Sequence, residues 1–250
     1  MKRALIVLTA LIVLLATTLN AQELSDIELL SALDEARFFN DSVTQISIRI
    51  HSETPDEIRE AELMLSFLDT EEGSFARIEF ANPEELAGQI FLSTPEATYF
   101  YGPDLDFPIK TSATQEVFGD AAVAQTSGIR FADSYTIQER RTVTAVDGLD
   151  FWEIDLVAVD FTVAFQAVTV IVDPVELRPI SAILYAVSGL PFYEVFYEAY
   201  AVLEDDVVVT TQRIVNQLLL GRITTSEILK IGSEVLSPLL FDPASLGAMP

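Results

Sequence analysis

After a short helical opening, hydrophobic positions in this chain alternate with polar ones instead of recurring every third or fourth residue, and that pattern predicts a sheet. Ser25-Asp26-Ile27-Glu28 has the spacing of a capping box, and Ile27, Leu30, Leu33 and Phe38 continue at helical spacing, so one amphipathic helix is predicted over 26–39. The period then changes. Ile46, Ile48 and Ile50 alternate with Gln45, Ser47, Arg49 and His51, the pattern of a half-buried strand. Short β-prone runs follow at 63–68, 75–80, 89–92 and 98–101, separated by turn signals such as Glu71-Glu72-Gly73, Asn82-Pro83 and Thr94-Pro95. A second set of strands is predicted at 135–146, 151–159, 161–172, 180–187, 193–203 and 207–217, with a further one at 218–224. Between the two sets, residues 110–133 have little periodicity and read as a lid or binding loop. Thr225 and Ser226 precede Glu227-Ile228-Leu229-Lys230-Ile231 and Val235-Leu236, a short helix candidate that Pro238 would end. The expectation is α+β, mostly β: a curved antiparallel sheet of about ten strands closed by two or three helices.

The start of the chain reads differently. Lys2 and Arg3 precede an apolar or small stretch over 4–16, then a polar stretch ending at Ala21, the order of a secretory signal peptide. The apolar run is shorter than the roughly 20 residues a helix needs to span a bilayer. Cleavage after Ala21 is expected to leave 22–250 as a single exported, soluble domain, since no linker or repeat divides it. The chain has no Cys, so neither a thiol-borne lipid anchor nor a disulfide framework is available, and stability must come from the core.

Charge narrows the partners. The chain has 14 Lys+Arg against 39 Asp+Glu, a formal net charge of −25. Removing Lys2 and Arg3 leaves 12 basic residues and a charge of −27. Nucleic acid and anionic bilayers are poor partners for such a chain. With 50% hydrophobic residues the scattered acids describe a solvated surface, not a disordered chain.

Catalytic chemistry has few places to reside. His51 is the only histidine and lies on the polar face of its strand, where a solvated side chain is the ordinary occupant. No thiol, P-loop, GxSxG or HExxH spacing is present. Paired carboxylates could hydrolyse a glycosidic bond, but Glu71-Glu72, Glu84-Glu85 and Glu204-Asp205-Asp206 all sit at predicted turns, where solvated acids are expected. Calcium at 204–206 lacks an EF-hand's ligand spacing. Asn40-Asp41-Ser42 matches a glycosylation sequon by coincidence of composition. No cofactor, metal or catalytic residue is expected. Aromatic and aliphatic residues on strands are abundant instead, and one sheet with so few helices has more apolar face than they can cover. A curved sheet with a partly filled concave face would accept an apolar ligand. The candidate lining residues are Phe67, Ile78, Phe80, Phe91, Tyr99, Tyr101, Phe161, Phe165, Tyr185 and Phe196.

Arg77-Ile78-Glu79-Phe80-Ala81-Asn82-Pro83, then Gly88-Gln89-Ile90-Phe91-Leu92, then Ala97-Thr98-Tyr99-Phe100-Tyr101-Gly102-Pro103 resemble the core of the LolA/LolB-like outer-membrane lipoprotein-sorting proteins. Phe118-Gly119-Asp120 followed by 129–135 is similar to the loop that succeeds this core in the family's uncharacterised envelope branch, and the strands over 151–224 match in order and number. The middle loop departs from that branch in lacking its Arg-Arg pair and its Met-Gly-Ser-Asp-Phe pattern. The resemblance implies a half-barrel closed by helices around a hydrophobic cavity that shelters the acyl chains of a lipid or lipoprotein in the periplasm, with an envelope membrane complex as a further candidate partner. Two other readings remain open: a structural or accessory module of an envelope complex, docking through a sheet edge or apolar patch, and a carboxylate-dependent hydrolase.

Overall fold

The computed structural model describes residues 24–37, 43–122, 129–203 and 206–246. The expected signal segment, Phe38, the sequon and the Glu204-Asp205 turn lie outside these residues. Helix α1, Asp26–Glu35, opens on the predicted capping box: the Glu28 N–H donates to Ser25 Oγ while the Ser25 N–H donates to Glu28 Oε2. Its Leu29, Leu30 and Leu33 are buried, each contributing about 1.5–3 kcal/mol.

A meander follows: β1 (Gln45–Glu53), β2 (Ile58–Thr70), β3 (Gly73–Asn82), β4 (Ile90–Ser93), β5 (Thr98–Tyr101) and β6 (Ile109–Thr111). The hairpin of β7 (Glu116–Phe118) and β8 (Ala121–Ala122) stands apart from it, and a single turn of helix, Phe131–Ser134, leads into a second meander. That meander runs β9 (Tyr135–Thr144), β10 (Asp150–Ala158), β11 (Ala167–Asp173), β12 (Arg178–Tyr185), β13 (Pro191–Leu203), β14 (Asp206–Asn216) and β15 (Ile223–Gly232). β15 pairs antiparallel with β1, from Gln45 opposite Gly232 to Glu53 opposite Ile223, and joins both meanders into one thirteen-stranded sheet with β6 and β9 at its edges.

The sheet must curve. α1, about 15 Å long, touches β9, β12 and β14, yet in a flat sheet β14 and β9 would lie about 24 Å apart. A single buried cluster runs from Phe91 on β4 to Ile154 on β10, taking in the leucines of α1 as well as Phe118 and Phe131. The expected fold class is therefore the observed one, an open, curved antiparallel sheet, but several elements differ. The sheet holds more strands than the ten predicted. The run at 161–172 is a loop until Ala167. The region 110–133 contains β6, the β7–β8 hairpin and the short helix. The helix predicted over 227–236 is wrong: those residues lie in β15 and the extended chain after it, because the place between β14 and β1 requires a strand whatever the local preference.

Beyond β15 the chain crosses to the convex face. Phe241 and Leu246, from the 3-10 turns Pro238–Phe241 and Pro243–Ser245, pack with Ile90 and Leu92 in a second, smaller core. Arg77 Nη1 donates to the Leu240 carbonyl at 3.1 Å and fixes this segment to β3.

Candidate functional site: the concave face

Cross-strand register decides which residues share the concave face. Ile46, Ile48 and Ile50 of β1 stand opposite Leu65, Leu63 and Ala61 of β2. Leu65 and Leu63 in turn face Ile78 and Phe80 of β3, and Ile78 faces Phe91 of β4. On the other wall, Leu156 and Ile154 face Val168 and Val170, which face Leu184 and Ala182, then Tyr193 and Val195 of β13. These side chains form one continuous apolar surface. α1 covers part of it, and the β7–β8 hairpin covers another part through Phe118, whose ring meets Phe80 edge-on at 6.4 Å.

Of the ten residues singled out from the sequence, this face holds Phe67, Ile78, Phe80 and Phe91 on β2 to β4, together with Phe165, which folds in from the β10–β11 loop against Tyr193 at 6.2 Å. All but the half-buried Phe67 are buried. Tyr99 and Tyr101 alternate with Phe100, stand opposite Leu92 and Ile90, and pack in the convex-side core. Tyr185 and Phe196 also belong to the convex face. The Tyr185 hydroxyl meets Thr169 Oγ1 at 3.2 Å, and the Phe196 ring lies under the Arg213 guanidinium at 4.2 Å. Phe161 is 89% exposed at the tip of the β10–β11 loop.

Two buried carboxylates, both missed by sequence reasoning, fix the covers in place. Asp34, near the end of α1, accepts from the N–H groups of Phe131 and Ala132 at 2.8 and 2.9 Å and from Arg37 Nη1 at 3.1 Å. Burial pushes its carboxyl above the ordinary aspartate range, against the lowering influence of Arg37 and the two N–H groups. The Arg37 guanidinium lies 3.8 Å over the Phe131 ring. Asp120 secures the β7–β8 hairpin: its N–H donates to Thr224 Oγ1 at 2.9 Å, while its carboxylate accepts from Asn216 Nδ2 at 2.6 Å and Arg222 Nε at 3.2 Å. Gly119 beside it has φ +58° and would place a Cβ only 2.5 Å from both Ser52 Oγ and Thr224 Oγ1. The signals were present: Asp34 interrupts the apolar stripe of α1, four residues after Leu30, and Gly119-Asp120 breaks an otherwise featureless run.

A family model described as an uncharacterized protein family matches residues 74–248. The chain belongs to this family. Solved structures add the fold. A LolA superfamily protein from Nitrosomonas europaea is 22% identical with a TM-score of 0.79, the match covering 88% of this chain and 98% of that one. A putative outer membrane lipoprotein-sorting protein domain from Vibrio parahaemolyticus is 14% identical at a TM-score of 0.72, covering 86% and 95%. A DUF1329 family protein from Desulfovibrio piger is 14% identical at 0.70, covering 88% and 97%. At these identities the likeness establishes the fold, which is that of the LolA superfamily. No curated protein matches the sequence.

The residues that line the concave face are apolar. Among the described residues no group of three or more His, Asp or Glu side chains is arranged to hold a metal ion, and no helix is long and apolar enough to cross a membrane. His51 sits on the opposite face of β1, its Nδ1 4.0 Å from Glu60. Glu116, on the plugging hairpin, is raised above the ordinary glutamate range by burial, with Arg222 at 3.8 Å opposing the shift.

Proposed function

We propose that this chain is an exported binding or carrier protein that shelters the acyl chains of a lipid or lipoprotein against the concave face of its sheet. The observation that carries the reading is the continuous apolar surface from Phe91 to Ile154, covered by a ten-residue helix, the short β7–β8 hairpin and the Phe131–Ser134 turn instead of by a second large sheet. A greasy chain can replace the apolar side of those covers, one apolar partner for another, while the polar contacts of Asp34 and Asp120 set the cost of moving them. On this reading an acyl chain takes the place of the α1 leucines, and binding requires α1 to lift from β9, β12 and β14. The names of the solved relatives, a LolA superfamily protein and a putative lipoprotein-sorting domain, support the same reading, as does the apolar leader expected over 1–21, which would deliver residues 22–250 to the periplasm. The reading needs no catalytic group.

The test is an environment-sensitive fatty-acid probe added to the exported protein. Binding in the micromolar range or tighter is expected, and Phe80→Ser and Phe91→Ser should weaken it beyond their effect on stability, which an unpaired buried hydroxyl lowers by about 1–3 kcal/mol. Absence of probe binding, or affinity that falls strictly in step with stability across the variants, would show these aromatics to be ordinary core and end the carrier reading.

A further inference from the structure

Acidic residues are spread along this chain, yet two of its acid-free stretches, 177–193 and 207–226, run seventeen and twenty residues. Each stretch holds a turn on the same edge of the sheet, the β12–β13 turn at 186–190 and the β14–β15 turn at 217–222. The two turns are neighbours: the Gln217 N–H donates to the Phe192 carbonyl at 2.9 Å, and Gln217 Nε2 reaches Glu194 at 2.8 Å. Their tips are aliphatic and turned to solvent. Val187 is 89% exposed and Leu220 87%, with Leu190, Leu218 and Leu219 about half exposed beside them. Phe161, on the next turn of the same edge, is flanked by Asp160 and lies outside this acid-free pair. The opposite edge also has exposed valines, but each is flanked by acids: Val146 by Asp147, and Val175 by Asp173 and Glu176.

The three leucines are not a slack loop. Asn216 is buried, and its Oδ1 accepts from the N–H groups of Leu218 and Leu219 at 3.0 and 2.8 Å while its Nδ2 donates to Asp120. The amide oxygen thus holds the turn while its nitrogen ties it to the β7–β8 hairpin, and Gly221, at φ +82°, packs its other side on Pro55. A turn fixed this firmly presents its side chains with little entropy left to lose on contact.

We propose that these two turns form a membrane-surface contact, inserting Val187, Leu190 and Leu218 to Leu220 into the interfacial layer of an uncharged lipid bilayer. Tips on alternate hairpins stand about 10 Å apart, a spacing suited to a deformable plane more than to a single groove. Neither turn carries a carboxylate that insertion would have to desolvate, and the one charge within them, Arg222, is paired with Asp120 at 3.2 Å and Glu116 at 3.8 Å. The proposal does not depend on the carrier reading, since vesicle binding and probe binding are separate measurements.

The exported protein, produced with its own N-terminal segment and purified from the soluble fraction, is floated with vesicles of phosphatidylcholine alone. The wild type should float with them, and adding phosphatidylglycerol at low salt should reduce the bound fraction. Leu219→Ser/Leu220→Ser should reduce binding roughly tenfold or more, with melting temperature and fatty-acid probe binding unchanged because both positions face solvent. Val146→Ser/Val175→Ser, on the opposite edge, should bind as the wild type does. No flotation of the wild type, or equal flotation of the two double variants, overturns the proposal. Retention by a detergent-solubilised envelope protein without affinity for protein-free vesicles would assign the turns to a protein partner and overturn it equally.

Discussion

Asp34 shows how one side chain can link three parts of the molecule. It lies on α1, satisfies two N–H groups at the start of the Phe131–Ser134 turn, and pairs with Arg37, which in turn covers the Phe131 ring. Asp34→Ala leaves both N–H groups without their partner, and a loss of about 2–3 kcal/mol is expected from the denaturant midpoint, with faster amide exchange in α1. The carboxyl also makes a prediction about pH. Its folded pKa is raised above the unfolded value near 3.8, so the folded state binds the proton more tightly. Its contribution to stability is then fully present below the unfolded pKa and is lost as pH rises through the folded one. The stability advantage of wild type over Asp34→Asn should therefore shrink as pH rises across that window, and an advantage that grew instead would contradict the shift. None of this could be assigned from sequence, where Asp34 is one acid among 39; only its place in the apolar stripe of the helix marked it.

Elements were legible where their pattern was local and obscure where a neighbour decided it. The capping box and the alternation of Ile46, Ile48 and Ile50 carried α1 and β1 directly. In β15, by contrast, Thr225, Ser226 and the apolar residues after them imitate a helix start, while Thr224 and Ser226 are buried on the concave face opposite Ser52 and Ile50. Alternation in β5 was read correctly as a strand, but the sequence did not say which side faced the concavity, and register placed Tyr99 and Tyr101 on the other one. That convex core exists because the chain after β15 returns across β3 to β5, a path no local signal encodes. Phe241, 3% exposed, anchors it. Phe241→Ala should cost about 3–5 kcal/mol and leave affinity for a fatty-acid probe unchanged, because the two cores lie on opposite faces. Loss of probe affinity out of proportion to loss of stability would mean that the faces communicate.

At the scale of the whole molecule, charge dominates. The chain's net charge of −25 repels itself, and salt screens that repulsion over about 10 Å at 0.1 M. The melting temperature should therefore rise between low and molar salt; a flat response would show that the surface ion pairs of Arg49, Arg141 and Arg213 already compensate the excess locally. Fold class was readable at this scale because alternation, aromatic excess and the scarcity of helix are sums over many residues. The covers of the concave face were not, since they depend on a few long-range polar contacts.

The pairing of β1 with β15 reaches further than architecture. Every other ladder in the large sheet joins strands adjacent in sequence, so each meander can assemble hairpin by hairpin, while this single ladder unites residues about 170 positions apart, such as Glu53 and Ile223. Closing a separation of that size costs about 4–5 kcal/mol of chain entropy, so the central ladder should form after its two flanks. Ile50→Val, near its middle, should lower stability by about 1 kcal/mol and do so almost wholly through faster unfolding. Until that ladder closes, each half exposes an unpaired strand edge that a second molecule can occupy, and the nascent protein should be most prone to exchange halves with a neighbour during that interval.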